Sequence, residues 1–462
     1  MTTPVTAEVD LAGRVVELTR SLAGAGAEAE VVAAHTAEAL TRFANSAIHQ
    51  NVADATTTVS LRLHLDGRTA SGSTTVTDAE GLRSLVERTV AAARLSPPDP
   101  AWPGLTPPTP LPADAGYDEA TAAAGPRERA IRVRDFVQAA EGLETAGFCR
   151  TAYASGAFAN TAGHTVHGRS AEAAMDGIAR LAGADGVARR AAGRLAELDG
   201  AALGARAAAK ARAATSPVEL PPGRYEVVLE PTAVADLLDN LASFGFNGKA
   251  YAQHQSFAEL GAQQFDRGIT ITDEPLGATL PFDMEGTPRA TLLLVEDGVT
   301  RAVSHDRTSA AEAGSASTGH ASAASRSWGP IAANLHLAAG PIANAVPEPS
   351  AGPTASSARA LVAGMRRGLL ITDLWYTRVL DQKSLVITGL TRNGVWLVEN
   401  GEVTAAVSNM RFTQSYPQAL GPGAVLGVGA EAVAVPDRWS GVRYTAPALH
   451  LASWNLTGNA SG

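Results

Sequence analysis

Residues 55–65 (ATTTVSLRLHL) place Val59, Leu61, Leu63 and Leu65 on one side of an extended chain and Ser60, Arg62 and His64 on the other. Asp66-Gly67 follows at once, and residues 68–76 can return as the antiparallel partner. Asp297-Gly298 and Asn400-Gly401 repeat the arrangement between apolar or β-branched runs. Hairpins closed by such dipeptides commit much of the chain to antiparallel sheet.

Helices are interleaved with these strands. Residues 9–23 carry Val9, Leu11, Val15, Val16, Leu18 and Leu22 at near-helical spacing. Thr77-Asp78 can cap a second helix over 79–95, with Leu82, Leu85, Val86 and Val90 inside. Residues 96–115 hold eight prolines, which excludes a core element there. A helix over 125–142 and two or three strands over 144–169 follow, with residues 160–163 as a turn. An alanine-rich helix from 198 is stopped by Pro217, Pro221, Pro222 and Gly223.

The second half opens with a strand at 225–229 and a helix from Ala233 to Phe244, started by Pro231-Thr232. Strands then dominate: 268–272, 289–295, 299–304, 332–337, 368–374, 384–392, 395–398 and 402–407. The expectation is an α+β chain of two domains. Residues 1–216 form a mixed α/β domain, and residues 217–462 form a β-rich domain of antiparallel sheets with few helices.

Composition narrows the function. The chain has 37 Lys and Arg against 46 Asp and Glu, a formal net charge of −9, which argues against a general nucleic-acid binder. One cysteine, Cys149, excludes an internal disulfide and any multi-cysteine metal site built from this chain alone. No apolar run is long enough to span a membrane, and the N-terminus does not read as a signal peptide, so a cytoplasmic location is expected.

Several segments in order resemble the TldD/PmbA family, two-subunit bacterial proteases also called modulators of DNA gyrase. They are Phe282-Asp283-x-Glu285-Gly286, residues 295–299 (VEDGV), His305-Asp306-Arg307, Ser317-Thr318-Gly319, residues 368–374 (GLLITDL) and residues 389–402 (GLTRNGVWLVENGE). Residues 38–50 (EALTRFANSAIHQ) resemble the family's opening strand, and the Asp66-Gly67 hairpin follows as expected.

The resemblance implies a test. The family's catalytic subunit carries His-Glu-x-x-x-His on a helix: the histidines bind Zn²⁺, the glutamate activates the metal-bound water, and a later cysteine is a third ligand. The matching helix here follows strand 225–229 and puts Asp239, Asn240 and Phe244 at the motif positions. Phenylalanine cannot ligate zinc, and an amide is no general base at neutral pH. No histidine occurs between His167 and His254, and residues 421–427 hold no cysteine. The resemblance therefore implies the TldE (PmbA) type: a subunit with no catalytic residue and no cofactor of its own. It pairs with a zinc-binding TldD-type subunit, encloses a chamber and admits peptides or unfolded proteins as extended strands. A self-sufficient non-metal peptidase and a scaffold without a catalytic partner are the alternatives.

Substrate or interface candidates are His305, Arg307, Trp375, Tyr376, Arg392 and Asn393. Arg307 could hold a peptide carboxylate or carbonyl, but an internal Asp306–Arg307 pair fixing a loop is the commoner arrangement. Trp, Tyr and Arg at strand ends suit an interface, whereas Asn393-Gly394 is also an ordinary turn dipeptide. His254 has no second ligand at helical spacing. His164 and His167, three apart on a strand, point to opposite faces. Residues 310–327 read as a flexible loop, and Asp283 with Glu285 as a turn.

Overall fold

A computed structural model describes residues 6–112, 116–275, 277–341, 356–436 and 443–460. The N-terminal half is one antiparallel sheet of six strands: β1 (Glu28–Ala44), β2 (Ala47–Leu65), β3 (Arg68–Thr74), β4 (Glu144–Asn160), β5 (Thr165–Leu181) and β6 (Ala184–Ala192). Their order is β3-β2-β1-β4-β5-β6. The alternation read at 55–65 holds: Val59, Leu61, Leu63 and Leu65 are buried. They face helices Thr6–Ala23 and Ala79–Leu95. Asp78 caps the second helix through the Gly81 N–H at 2.8 Å. Further along the same sheet, Phe43, Cys149 and Met175 pack on helices Pro126–Ala139 and Gly200–Ala213.

Beyond Val59, β2 has β3 as its outer neighbour, but residues 47–58 pair only with β1, and Ala47 to Ala55 are exposed. The family-like segment 38–50 is not the start of a strand. The opening strand begins at Glu28, and this segment spans the β1–β2 turn, where Asn45 and Ser46 adopt positive φ. Likewise 144–169 holds one long strand and only the start of the next, and His164 lies in the turn between them rather than on β5.

The C-terminal half holds two further sheets. Strands β7 (Gly223–Leu229), β12 (Arg367–Asp381), β13 (Val386–Glu399), β15 (Met410–Ser415) and β19 (Leu449–Asn459) pair in a closed ring. β14 (Glu402–Ala406) and β16 (Val425–Val428) are attached to it. The second sheet comprises β8 (Ile271–Asp273), β9 (Leu292–Glu296), β10 (Val299–Thr300), β11 (Leu335–Leu337), β17 (Val433–Pro436) and β18 (Arg443–Ala446). Most pairings are antiparallel, with parallel contacts at β7–β12 and β11–β18. The ring is buried on both faces: Val227 and Leu229 belong to one core and Val228 to another, sealed by helix Ser356–Ala363.

Asn400-Gly401 closes the β13–β14 hairpin as expected, with Glu399 opposite Glu402. Asn393-Gly394 does not turn the chain. The segments 384–392 and 395–398 are one strand, and the dipeptide is a bulge, with φ of 60° and 128°. Opposite it, β12 advances from Ile371 to Asp373 while β13 goes from Val395 to Arg392, so β13 carries the extra residue. Strands 299–304 and 332–337 are shorter than expected, at Val299–Thr300 and Leu335–Leu337.

Candidate functional site

Helix Pro231–Asn240 starts on a proline that needs no intrahelical donor. Ala233, Val234, Ala235, Leu237 and Leu238 are buried nearly all round, because the helix lies between β12 of the ring and β18 of the second sheet. It ends in a π-turn, Leu241–Gly245, closed by the Phe246 N–H on the Leu241 carbonyl at 2.7 Å. Such wide turns often occur at functional sites.

The helix sets Thr232, Asp236 and Asp239 on the wall of a cavity of about 470 Å³, with Asn240 beside Asp236. Asp236 accepts the hydroxyls of Thr377 and Tyr416, both at 3.0 Å. Asn240 donates its amide to the Asp236 carbonyl at 2.9 Å. Asp239 accepts the Tyr444 hydroxyl at 2.9 Å. Burial, reinforced by Asp236, pushes the Tyr416 hydroxyl well above its usual pKa, so it stays a donor. Phe244 packs half-buried against the core.

β12 and β13 supply the facing wall. Asp373 takes Arg189 of β6 at 2.8 Å and the Asn393 amide of the bulge at 2.9 Å. Arg189 also pairs with Asp176 at 2.6 Å. Burial opposes its charge, but Asp176 and Asp373 outweigh that and raise its pKa. The Arg392 guanidinium sits 5.1 Å over the Trp375 ring. Tyr376 is 63% exposed at a φ of 54°, with Arg378 over its ring at 4.1 Å. Thus Trp375 and Tyr376 line the cavity with Asp236 and Asp239, while Arg392 and Asn393 reach it only through their contacts with Trp375 and Asp373.

His305 and Arg307 lie elsewhere, at the seam between the two halves. His305 is buried, its Nδ1 3.1 Å from the Ser309 hydroxyl and its ring edge-on to Tyr251. Burial lowers its pKa. Asp306 does not pair with Arg307. It caps helix Arg307–Glu312 through the Ser309 N–H at 2.7 Å. Arg307 instead binds the carbonyls of Gly104 and, at 3.0 Å, Pro103, tying down the proline-rich segment.

The same seam holds a group that sequence spacing does not reveal. Glu285 pairs with Arg62 at 2.7 Å and accepts the Arg307 N–H at 2.9 Å. Asp283 does make a turn, accepting the N–H groups of Glu285 and Thr287, both at 2.9 Å, yet both carboxylates are buried. Burial, then Glu285, pushes the Asp283 pKa up to about 7, and burial pushes that of Glu30 up to about 8.

Loop 310–327, expected to be flexible, is anchored. Ala321 N–H donates to Asp283 at 2.8 Å, and His320 bridges Thr318 at 2.8 Å and Asp273 at 3.1 Å. In this Thr–His–Asp chain the Thr318 hydroxyl is held by the His305 backbone, accepting its N–H at 2.7 Å, and the His320 ring is buried. His254 is exposed, and His164 is buried with its Nε2 2.8 Å from the Gly286 carbonyl. His164 and the exposed His167 share no site.

The residues present do not fit a zinc ion. Asp239 is engaged by a tyrosine, its neighbours are an amide and a phenyl ring, and residues 421–427 offer no thiolate. Among the described residues no group of three or more His, Cys, Asp or Glu is placed to hold a metal. No described helix is long and apolar enough to cross a membrane.

No curated protein matches the chain. Solved structures do. TldE from Thermococcus kodakarensis superposes with a TM-score of 0.83 at 16% identity, covering 97% of this chain and 100% of that one. A candidate modulator of DNA gyrase from Bacteroides thetaiotaomicron gives 0.80 at 19%, covering 99% and 100%. One from Thermotoga maritima gives 0.77 at 20%, covering 97% and 99%. At these identities the likeness is one of fold. Residues 29–93 match the PmbA/TldA metallopeptidase domain 1, and residues 222–458, half of the chain, match the PmbA/TldA metallopeptidase C-terminal domain. The ring of strands, the buried helix behind β7 and the six-stranded N-terminal sheet are thus those of a member of the TldD/PmbA metallopeptidase family.

Proposed function

We propose that this chain is the zinc-free, non-catalytic subunit of a cytoplasmic two-chain peptidase of the TldD/TldE type. A second chain carries the metal, and this one completes the chamber and helps hold extended peptides. One observation carries the reading. The helix positions that would bear zinc ligands hold Asp239, Asn240 and Phe244, and Asp239 is tied to Tyr444. A phenyl ring and an amide leave no route to a metal-activated water on this helix. The exposed Tyr376 and the Trp375–Arg392 pair beside the cavity suit contact with a peptide or a partner.

Co-expression with a homologue bearing His-Glu-x-x-x-His tests it. The pair is expected to co-purify, with zinc on the partner, and to cut unstructured peptides in a chelator-sensitive way. Each chain alone is expected to be inactive. Chelator-insensitive cleavage by this chain alone, or tightly held stoichiometric zinc on it, would overturn the reading.

A further inference from the structure

A cavity of about 500 Å³ lies at the seam, separate from the one beside helix Pro231–Asn240. Its floor is the face of the N-terminal sheet turned away from the helices. Glu30 of β1 and Arg62 of β2 stand directly opposite each other there. Helix Arg307–Glu312 and residues 321–326 close the other side. Five carboxylates line the cavity: Glu30, Asp99, Glu285, Asp306 and Glu312. Among the described residues Arg62, Lys249 and Arg326 line it as cations, and Arg307 stands just behind Glu30, so the acids outnumber the cations by one.

Glu30 is the unusual member. It is 2% exposed, and neither carboxylate oxygen has a hydrogen-bond partner. The nearest guanidinium nitrogens, of Arg62 and Arg307, stand 3.5 Å away. Both arginines are committed elsewhere. Arg62 binds Glu285 at 2.7 Å and lies 4.5 Å over the Trp102 ring, and Arg307 binds backbone carbonyls. A buried carboxylate with unfilled acceptors is costly, and a charged donor would satisfy it.

We propose that this cavity binds an organic cation of amino-acid size, a guanidinium or primary ammonium group donating to Glu30. The volume lies in the range of small-molecule sites. A metal ion is the poorer occupant, since no described group of three or more ligating residues is placed to hold one. The hydroxyls of Ser60, Ser71 and Ser73 on the same wall can serve the rest of the ligand. This inference does not depend on the subunit reading, because none of its residues lies on the helix that carries that reading.

The site has a protonic signature. Arg62 faces Glu30 from β2, Asp283 and Glu285 from the loop between β8 and β9, and Arg307 from helix Arg307–Glu312, while Asp306 acts on Arg62. Burial outweighs the arginines and keeps Glu30 largely protonated at neutral pH. An entering cation favours the ionised form. Binding therefore expels a proton, and affinity rises with pH until Glu30 is ionised in the free protein. Asp283 acts in the same direction.

The test is calorimetric titration of the full chain with N-acetyl-arginine amide and with its uncharged isostere N-acetyl-citrulline amide, from about pH 6 to about pH 9. The arginine probe is expected to bind about tenfold or more tightly than the citrulline probe. Its affinity is expected to rise with pH, and buffers of different ionisation enthalpy are expected to reveal proton release. Glu30→Gln is expected to weaken binding about tenfold or more. If that variant fails to fold, Glu312→Gln at the exposed rim is expected to lower affinity roughly twofold. No measurable binding of the arginine probe, equal binding of the two probes, a pH-independent affinity, or full affinity in a folded Glu30→Gln variant would refute the proposal.

Discussion

Lys210 and Glu230 form an ion pair closed off from water, with side chains 2% and 0% exposed. The lysine ends a helix packed on the N-terminal sheet, and the glutamate is the residue before helix Pro231–Asn240. The pair therefore ties the N-terminal half to the base of the candidate site. Burial pulls the Lys210 pKa down to about 8 even with Glu230 beside it. Removing one partner strands the other. Glu230→Gln is expected to cost about 3 kcal/mol in urea unfolding, and the double change with Lys210→Met to cost less than the sum of the singles.

The carboxyls at the seam predict an inverted pH profile. Glu30 and Asp283 titrate near 8 and 7 in the folded chain, against usual values of 4.5 and 3.8. Between those limits the native state holds more protons than the unfolded one, so these groups make stability fall as pH rises from about 4 to about 8. Denaturant unfolding across that range checks it, and Glu30→Gln is expected to flatten the fall.

Cys149 is buried and burial pushes its thiol up to about 12. The native protein is expected to resist a thiol reagent at neutral pH and the denatured protein to take up one equivalent. Rapid labelling of the folded chain would contradict the packing of β4 against helix Pro126–Ala139.

Gly286 holds a φ of 71°, and a Cβ there would stand 2.4 Å from the Phe158 ring. Its carbonyl also meets His164. Gly286→Ala is expected to destabilise the chain by about 3 kcal/mol, from strain and overpacking together. Thermal unfolding measures it, and proteolysis within residues 278–290 is expected to quicken.

Local signals read well from sequence. Asp78 caps its helix, and Asn400-Gly401 turns its hairpin, because each depends on residues within four positions. Asn393-Gly394 shows the limit. The same dipeptide conformation suits a turn or a bulge, and the choice falls to whether the chain keeps pairing with β12, a strand some 20 residues away in sequence. The polar face Ser60-Arg62-His64 was legible as polar, but not as a face turned toward Glu285, 223 residues from Arg62. Helix Pro231–Asn240 was legible from its proline and apolar run, whereas the π-turn at its end carries no residue signal. Trp375 and Asn393 were singled out for residue type alone. Their convergence with Asp236 needs the ring to close.

That closure leaves the strands of the ring no open edge of their own. Every strand of the ring has a neighbour on both sides, whereas in the six-stranded N-terminal sheet residues 47–58 of β2 have no described strand on their outer side. No lysine, proline or arginine interrupts that stretch. An edge left open in this way is a template for a further strand, so association of crowded copies is expected to start along residues 47–58 while the buried cores stay folded.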